Sequence, residues 1–138
     1  CNEALRARYR RRLSSPLLDR FDLRVAVGSA SPEAPLGPPS AEVAARVSEA
    51  VARQKVRYRQ STWSRNARVP ARALLTDIRL SEQVETVLRE AARRRAWSGR
   101  GLAGVRRVAR TLADLDGMAD VTSGHVLLAA GMREDVLE

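Results

Sequence analysis

The chain is nearly without cysteine, histidine, lysine and aromatic side chains, and each shortage removes a class of protein. Its 138 residues include one Cys and one His. No internal disulfide can form, and one chain cannot supply the ligand set of a zinc site. Aromatics are only 4% of the residues, so Leu, Val and Ala must fill the core. No apolar run approaches the ~20 residues of a membrane-spanning helix. The arginine-rich N-terminus also lacks the apolar centre of a signal peptide. The expected compartment is the cytoplasm, with no membrane partner.

What is present is arginine. There are 25 Lys+Arg against 16 Asp+Glu, a net charge of +9, and Lys55 is the one lysine. A guanidinium offers a planar fork of donors that matches phosphates and carboxylates, where lysine is a compact point charge. This balance admits nucleic acid, nucleotide phosphates or an acidic protein surface as partner. With 44% hydrophobic residues a modest core is affordable, and disorder throughout is excluded.

Along the chain, an opening at Cys1 that runs straight into a helix-permissive stretch reads as an excised piece. Leu5, Tyr9 and Leu13 recur at helical spacing between Asn2 and Leu13. Ser14-Ser15-Pro16 stops that pattern and starts a short turn. Phe21, Leu23, Val25 and Val27 alternate with Asp22, Arg24 and Ala26, which predicts a strand over 21–27. A lone strand cannot satisfy its own backbone and must join a sheet made elsewhere. Residues 28–39, GSASPEAPLGPP, read as a linker. Beyond it the pattern is helical: 41–60 after Ser40 as cap, with Val43, Val47, Val51 and Val56 near one face; 70–77; 82–95 after Ser81; 98 or 99 to 116, closed by Gly117; and a last helix from Thr122. The expected fold class is mainly α: a bundle of about four helices over 40–138, preceded by a remnant helix and one strand over 1–27.

Two stretches invite chemistry. In Leu17-Leu18-Asp19-Arg20-Phe21-Asp22, Arg20 stands where a helical turn meets the strand, flanked by two carboxylates able to hold its guanidinium. Residues 99–104 match G-x-G-x-x-G, but a charged helical stretch precedes them and no strand follows. A dinucleotide fold is therefore not expected. What remains is Arg100 in the first turn of a helix, an end that already favours anions. Leu102, Val105, Val108, Leu112 and Leu115 should form that helix's buried stripe, with Arg107 and Arg110 elsewhere and Arg110 paired to Asp114. Glycines 99 and 104 should loosen its first turn. His125 reads as a partly exposed helix residue and Cys1 as a free thiol. Trp63 and Trp97 are expected in packing rather than on bases.

The ordered blocks Arg8-Tyr9-Arg10-Arg11-Arg12-Leu13-Ser14-Ser15-Pro16-Leu17-Leu18-Asp19-Arg20-Phe21-Asp22-Leu23, Ser40-Ala41-Glu42-Val43, Asn66-Ala67, Ser98-Gly99-Arg100-Gly101 and Arg107-Val108-Ala109-Arg110-Thr111-Leu112-Ala113-Asp114-Leu115 together resemble the C-terminal part of magnesium-chelatase-like AAA+ ATPases of the ComM (YifB) group. Ser15 and Leu102 depart from that pattern, which usually has Gly and an aromatic residue there. The resemblance implies the end of an AAA+ α/β core over 1–27, a linker over 28–39 and a helical lid over 40–138. It implies Arg20 as an arginine finger acting in trans and Arg100 as the sensor-2 arginine. It further implies a homohexamer using ATP and Mg²⁺ and acting on DNA. Within the arginine clusters 93–95 and 106, 107 and 110, Arg93, Arg94, Arg106 and Arg107 are then the candidate nucleic-acid contacts, and solvated helix faces are the other reading. No G-x-x-x-x-G-K-[ST] occurs, so this segment alone is expected to bind neither cofactor and to be inactive as an ATPase. A metal-insertion motor of the magnesium chelatase type and a stand-alone basic module for nucleic acid are the competing readings.

Overall fold

The computed structural model describes residues 8, 12–28, 35 and 37–133. The helix expected over residues 2–13 and the thiol of Cys1 lie almost wholly outside these. A one-turn helix α1 (Ser15–Leu18) with Pro16 in its first turn comes first. It is followed by α2 (Ser40–Arg57), two 3₁₀ turns (Asn66–Arg68 and Ala71–Ala73), α3 (Leu74–Asp77), α4 (Glu82–Arg94), α5 (Gly99–Leu115) and α6 (Ser123–Gly131). The fold is mainly helical, as expected.

Three helices start where the sequence placed a cap. The Ser81 hydroxyl accepts from Val84 N–H, and that of Ser98 from Gly101 N–H. Thr122 closes a capping box in which its hydroxyl takes the His125 N–H while the His125 ring takes the Thr122 N–H. These bonds satisfy amides that the helix itself leaves orphaned. At α2 the expectation fails: Pro39 holds the cap position and Ser40 is the first helical residue. Gly117, with φ +72°, ends the α5 region in the left-handed conformation that glycine takes without steric cost.

Helix α5 is the axis of the molecule and packs against α2, α4, α6 and the first 3₁₀ turn. One core joins Val84 and Leu88 of α4, Val105, Ala109 and Ala113 of α5, Val121, and Val126 and Ala129 of α6. A second sets Tyr58, Val69, Leu74 and Ile78 against Ala103 on another side of α5. With neighbours on several sides, α5 buries more than a single stripe. Gly101, Ala103, Gly104, Val105, Arg106, Ala109, Arg110, Ala113 and Asp114 are inside, while Leu102, Val108, Leu112 and Leu115 are half-buried.

Two expectations about faces are corrected. Three of the four α2 valines do not point inward: Val43, Val47 and Val56 are exposed, Val51 is half-buried, and the buried positions are Ala50 and Gln54. Only the C-terminal half of α2 reaches α5, so burial begins at Ala50. Residues 21–27 form no strand, because the described residues offer no second strand to pair with. Phe21, Leu23, Val25 and Val27 are exposed, Val27 at 90%, and the segment is tied down by Arg24 N–H on the Met132 carbonyl and by Arg133 Nη1 on the Phe21 carbonyl, both at 2.7 Å.

Candidate functional site

One carboxylate, that of Asp19, joins the two stretches whose arginines the sequence singled out. Asp19 follows the last turn of α1, and its side chain accepts from the Ser98 hydroxyl at 2.8 and 2.9 Å. Ser98 is the cap of α5, and Arg100 stands two residues further in. Arg20 is the residue next to Asp19. Both guanidinium groups are exposed, and neither forms an ion pair among the described residues. The flanking carboxylates expected to hold Arg20 are turned elsewhere. Asp19 takes a 2.7 Å bond from Arg133 and Asp22 lies 3.9 Å from it. Arg20 is left free to reach outward.

The Asp19 carboxyl is held below its ordinary value, first by the Ser98 hydroxyl bond and then, against the cost of burial, by Arg133 and Arg100. It is therefore a fixed anion at neutral pH. Glycines shape the contact. A Cβ on Gly104 would stand 2.2 Å from Asp22 Oδ1, and one on Gly101 would be 3.1 Å from Arg133 Nε and Nη2 and 3.2 Å from Trp97 Cβ. Gly104 lets the 19–22 segment lie on α5 and Gly101 makes room for Arg133 and Trp97, a different role from the loosening expected of positions 99 and 104.

The block Arg107 to Leu115 does something else. Asp114 is 0% exposed, and its carboxylate accepts from Arg57 Nη1 (3.0 Å) and Nη2 (2.5 Å), Arg110 Nη2 (3.0 Å) and Asn66 Nδ2 (2.8 Å). Tyr58 donates to Asn66 Oδ1 at 2.7 Å, and the Asn66 N–H donates to Gln54 Oε1 at 3.0 Å. Arg110 also donates to the Met118 and Ala119 carbonyls at 2.7 and 2.6 Å. One buried carboxylate thus joins α2, the first 3₁₀ turn, α5 and the turn after it. Burial works to raise the Asp114 carboxyl, but the bonds from Arg57 and Asn66 and the charge of Arg110 bring it below its ordinary value. Burial pushes the Arg110 guanidinium down despite its partner; at Arg57, which keeps a solvent edge, burial also works downward, but the bonds and charge of Asp114 outweigh it and leave the group raised. The predicted pairing of Arg110 with Asp114 is present.

Other candidates separate by burial. Arg106 is 2% exposed; its Nη2 donates to both Glu85 oxygens at 2.5 and 2.6 Å, and its Nη1 to the Ile78 carbonyl at 3.1 Å. That corrects its reading as a nucleic-acid contact, since a guanidinium enclosed by protein acceptors offers nothing to a phosphate outside. Arg107 is half-buried and spends Nε and Nη2 on the Val69 carbonyl. Arg93 and Arg94 are exposed. Trp63 donates to Asp77 and packs on the second core, and Trp97 packs on the first, as expected. His125 is more buried than the sequence suggested and pairs with Asp116 Oδ2 at 3.1 Å through Nε2. Among the described residues there is no group of three or more metal-ligating side chains and no helix long and apolar enough to cross a membrane.

Sequence reasoning missed Arg133, which is 4% exposed and holds the 19–22 segment. It lies beyond every block that drew attention, and its acceptors are 112 and 114 residues away. No local pattern signals such a contact.

Residues 37–133 match the family described as magnesium chelatase, subunit ChlI C-terminal, and residues 1–34 match the one described as magnesium chelatase, subunit ChlI. The chain is 30% identical over 134 residues to competence protein ComM of Haemophilus influenzae, covering 91% of this chain and 25% of that protein. It is 34% identical over 137 residues to uncharacterized proteins of Mycobacterium tuberculosis and Mycobacterium bovis, covering 97% of this chain and 27% of each. The chain therefore spans about a quarter of the length of these relatives.

Proposed function

The chain belongs to the magnesium chelatase ChlI family, and on that premise we propose that it is the C-terminal part of a ring-forming AAA+ ATPase that couples ATP hydrolysis to DNA remodelling. Arg20 acts as the arginine finger, entering the nucleotide site of the neighbouring protomer, and Arg100 is the sensor-2 arginine. The assembly is a cytoplasmic homohexamer using ATP and Mg²⁺. The observation that carries this reading is that Arg20 and Arg100 are both exposed, with no ion pair among the described residues, on two segments that the Ser98–Asp19 bond joins. The same protein encloses Arg106, Arg110 and Arg133 among its own acceptors.

The chemistry asked of these groups is electrostatic. Phosphoryl transfer spreads negative charge over the oxygens of the group in flight, and a cation fixed beside them stabilises that charge. Arg20 and Arg100 fit a terminal phosphate in charge and in donor geometry. The described residues supply no carboxylate cluster for Mg²⁺, so the cation would be held by other parts of the ATPase. Arg20→Ala in the full-length protein is expected to lower ATP turnover by roughly 10³-fold or more. Arg100→Ala should lower it less and weaken the response to nucleotide. Turnover that survives both substitutions would overturn the proposal.

A second reading, the ATPase motor of a metal-insertion complex, draws support from the family match over 37–133. The two share the finger and the lid and differ in whether the partner is DNA or another protein.

A further inference from the structure

Arg133 follows the last turn of α6, where a cation ordinarily serves the C-terminal carbonyls of its own helix. Here the guanidinium reaches away from the helix. Its Nη1 donates to the Phe21 carbonyl at 2.7 Å, and its Nη2 to the Asp19 carbonyl at 2.8 Å and Asp19 Oδ1 at 2.7 Å. The two carbonyls bracket Arg20 and Phe21: that of Asp19 lies in the peptide just before Arg20, and that of Phe21 in the second peptide after it. A rigid fork that binds both leaves the two intervening residues little choice of backbone position. The Asp19 carboxylate meanwhile accepts from Ser98, the cap of the helix that bears Arg100. Arg24 N–H closes the same contact on Met132 O at 2.7 Å. Burying a charged group is costly unless its bonds are well made, and these bonds hold the backbone before and after Arg20, whose own side chain has no ion pair among the described residues.

We propose that Arg133 is the positioning residue of Arg20, fixing the backbone on both sides of it and, through Asp19 and Ser98, setting its register against Arg100. This rests on the finger reading of Arg20. A finger must meet a phosphate on a neighbouring protomer to within a fraction of an ångström, and a side chain on an irregular segment needs an anchor to do so. The anchor is a lid residue, so movement of α5 and α6 carries Arg20 with it.

Two measurements test the proposal. Hydrogen exchange on the 138-residue chain reads the Arg20, Phe21 and Arg24 amides, which are bonded to the Leu17, Leu18 and Met132 carbonyls at 3.0, 3.1 and 2.7 Å. Arg133→Met should speed their exchange about tenfold or more while Ala109 and Ala113 in α5 stay protected. Unchanged exchange would overturn the proposal. Should Arg133→Met fail to fold, Arg133→Lys decides, because it keeps the charge but cannot span both carbonyls with one planar fork. The same rise supports the anchor, and no rise removes it. In the full-length ATPase, Arg133→Met should lower kcat with KM changed less than about twofold, and should add nothing to Arg20→Ala. Losses that multiply would show that Arg133 acts independently of Arg20. If Arg20→Ala alone keeps normal turnover, the finger reading falls, and the exchange data still judge whether Arg133 holds that segment.

Discussion

At the scale of single residues, Asp114 carries the most. It has no exposure and four hydrogen bonds from three side chains, so its removal strands Arg57 and Arg110 without a counter-charge. Asp114→Asn is expected to destabilise the fold by about 3 kcal/mol, the lower end for a broken buried pair because Arg57 keeps some solvent. Urea unfolding at neutral pH measures this. The pH dependence has a definite sign. The folded Asp114 carboxyl lies below its ordinary value, so its contribution is complete above about pH 4 and is lost as pH falls through the lower folded value. Asp19, held low by Ser98 and Arg133, acts in the same direction. Wild-type stability should therefore fall on acidification below about pH 4, and Asp114→Asn should flatten that limb in unfolding curves taken between pH 2 and 7. The ion pairs around α5 thus have separate tasks: Arg57–Asp114 and Arg106–Glu85 tie helix to helix, whereas Arg133–Asp19 ties the helices to the segment that bears Arg20.

At the scale of elements, the sequence placed the starts of α4, α5 and α6 well, because Ser81, Ser98 and Thr122 announce themselves by residue type and act within three residues. Helix ends are less plainly written. Ala96, just after α4, has φ +48°, and Trp97 N–H bonds back to the Ala92 carbonyl at 3.0 Å. That is the left-handed position where glycine is usual. Alanine is strained there, so Ala96→Gly is expected to stabilise the protein by about 0.5–1 kcal/mol in thermal or urea unfolding. A decrease would mean that the Ala96 methyl makes packing contacts worth more than the strain. The α2 valines went astray for a related reason. Their spacing is helical, and the helix exists, but the length over which it has a neighbour is not a property of its own residues. Leu127 and Leu128 of α6 are exposed for the same reason.

At the scale of the molecule, the net charge of +9 looked like one broad feature, and the fold divides it. Arg106, Arg110 and Arg133 are consumed internally, whereas Arg93 and Arg94 remain on the surface. If DNA is the partner, single-stranded DNA should bind with an affinity that falls steeply as salt rises, and Arg93→Ala with Arg94→Ala should reduce the slope of log K against log salt by up to about 2. Absence of binding at low salt would favour the metal-insertion reading. The family and the mainly helical class were legible from ordered motif blocks and from periodicity, since both are local and repeat along the chain. The roles inside those blocks were not. Arg107 to Leu115 reads as a signature, yet it is a structural hub whose partners, Arg57 and Asn66, come from elsewhere in the chain. The sequence by itself determined which stretches would be helical, where three of them begin, and which two arginines to watch, because capping, period and residue chemistry act over a few positions. Only the tertiary structure decided which guanidinium groups are enclosed and which face outward, and that Arg133 grips the backbone around Arg20. Those outcomes depend on what lies across from a side chain once distant segments meet.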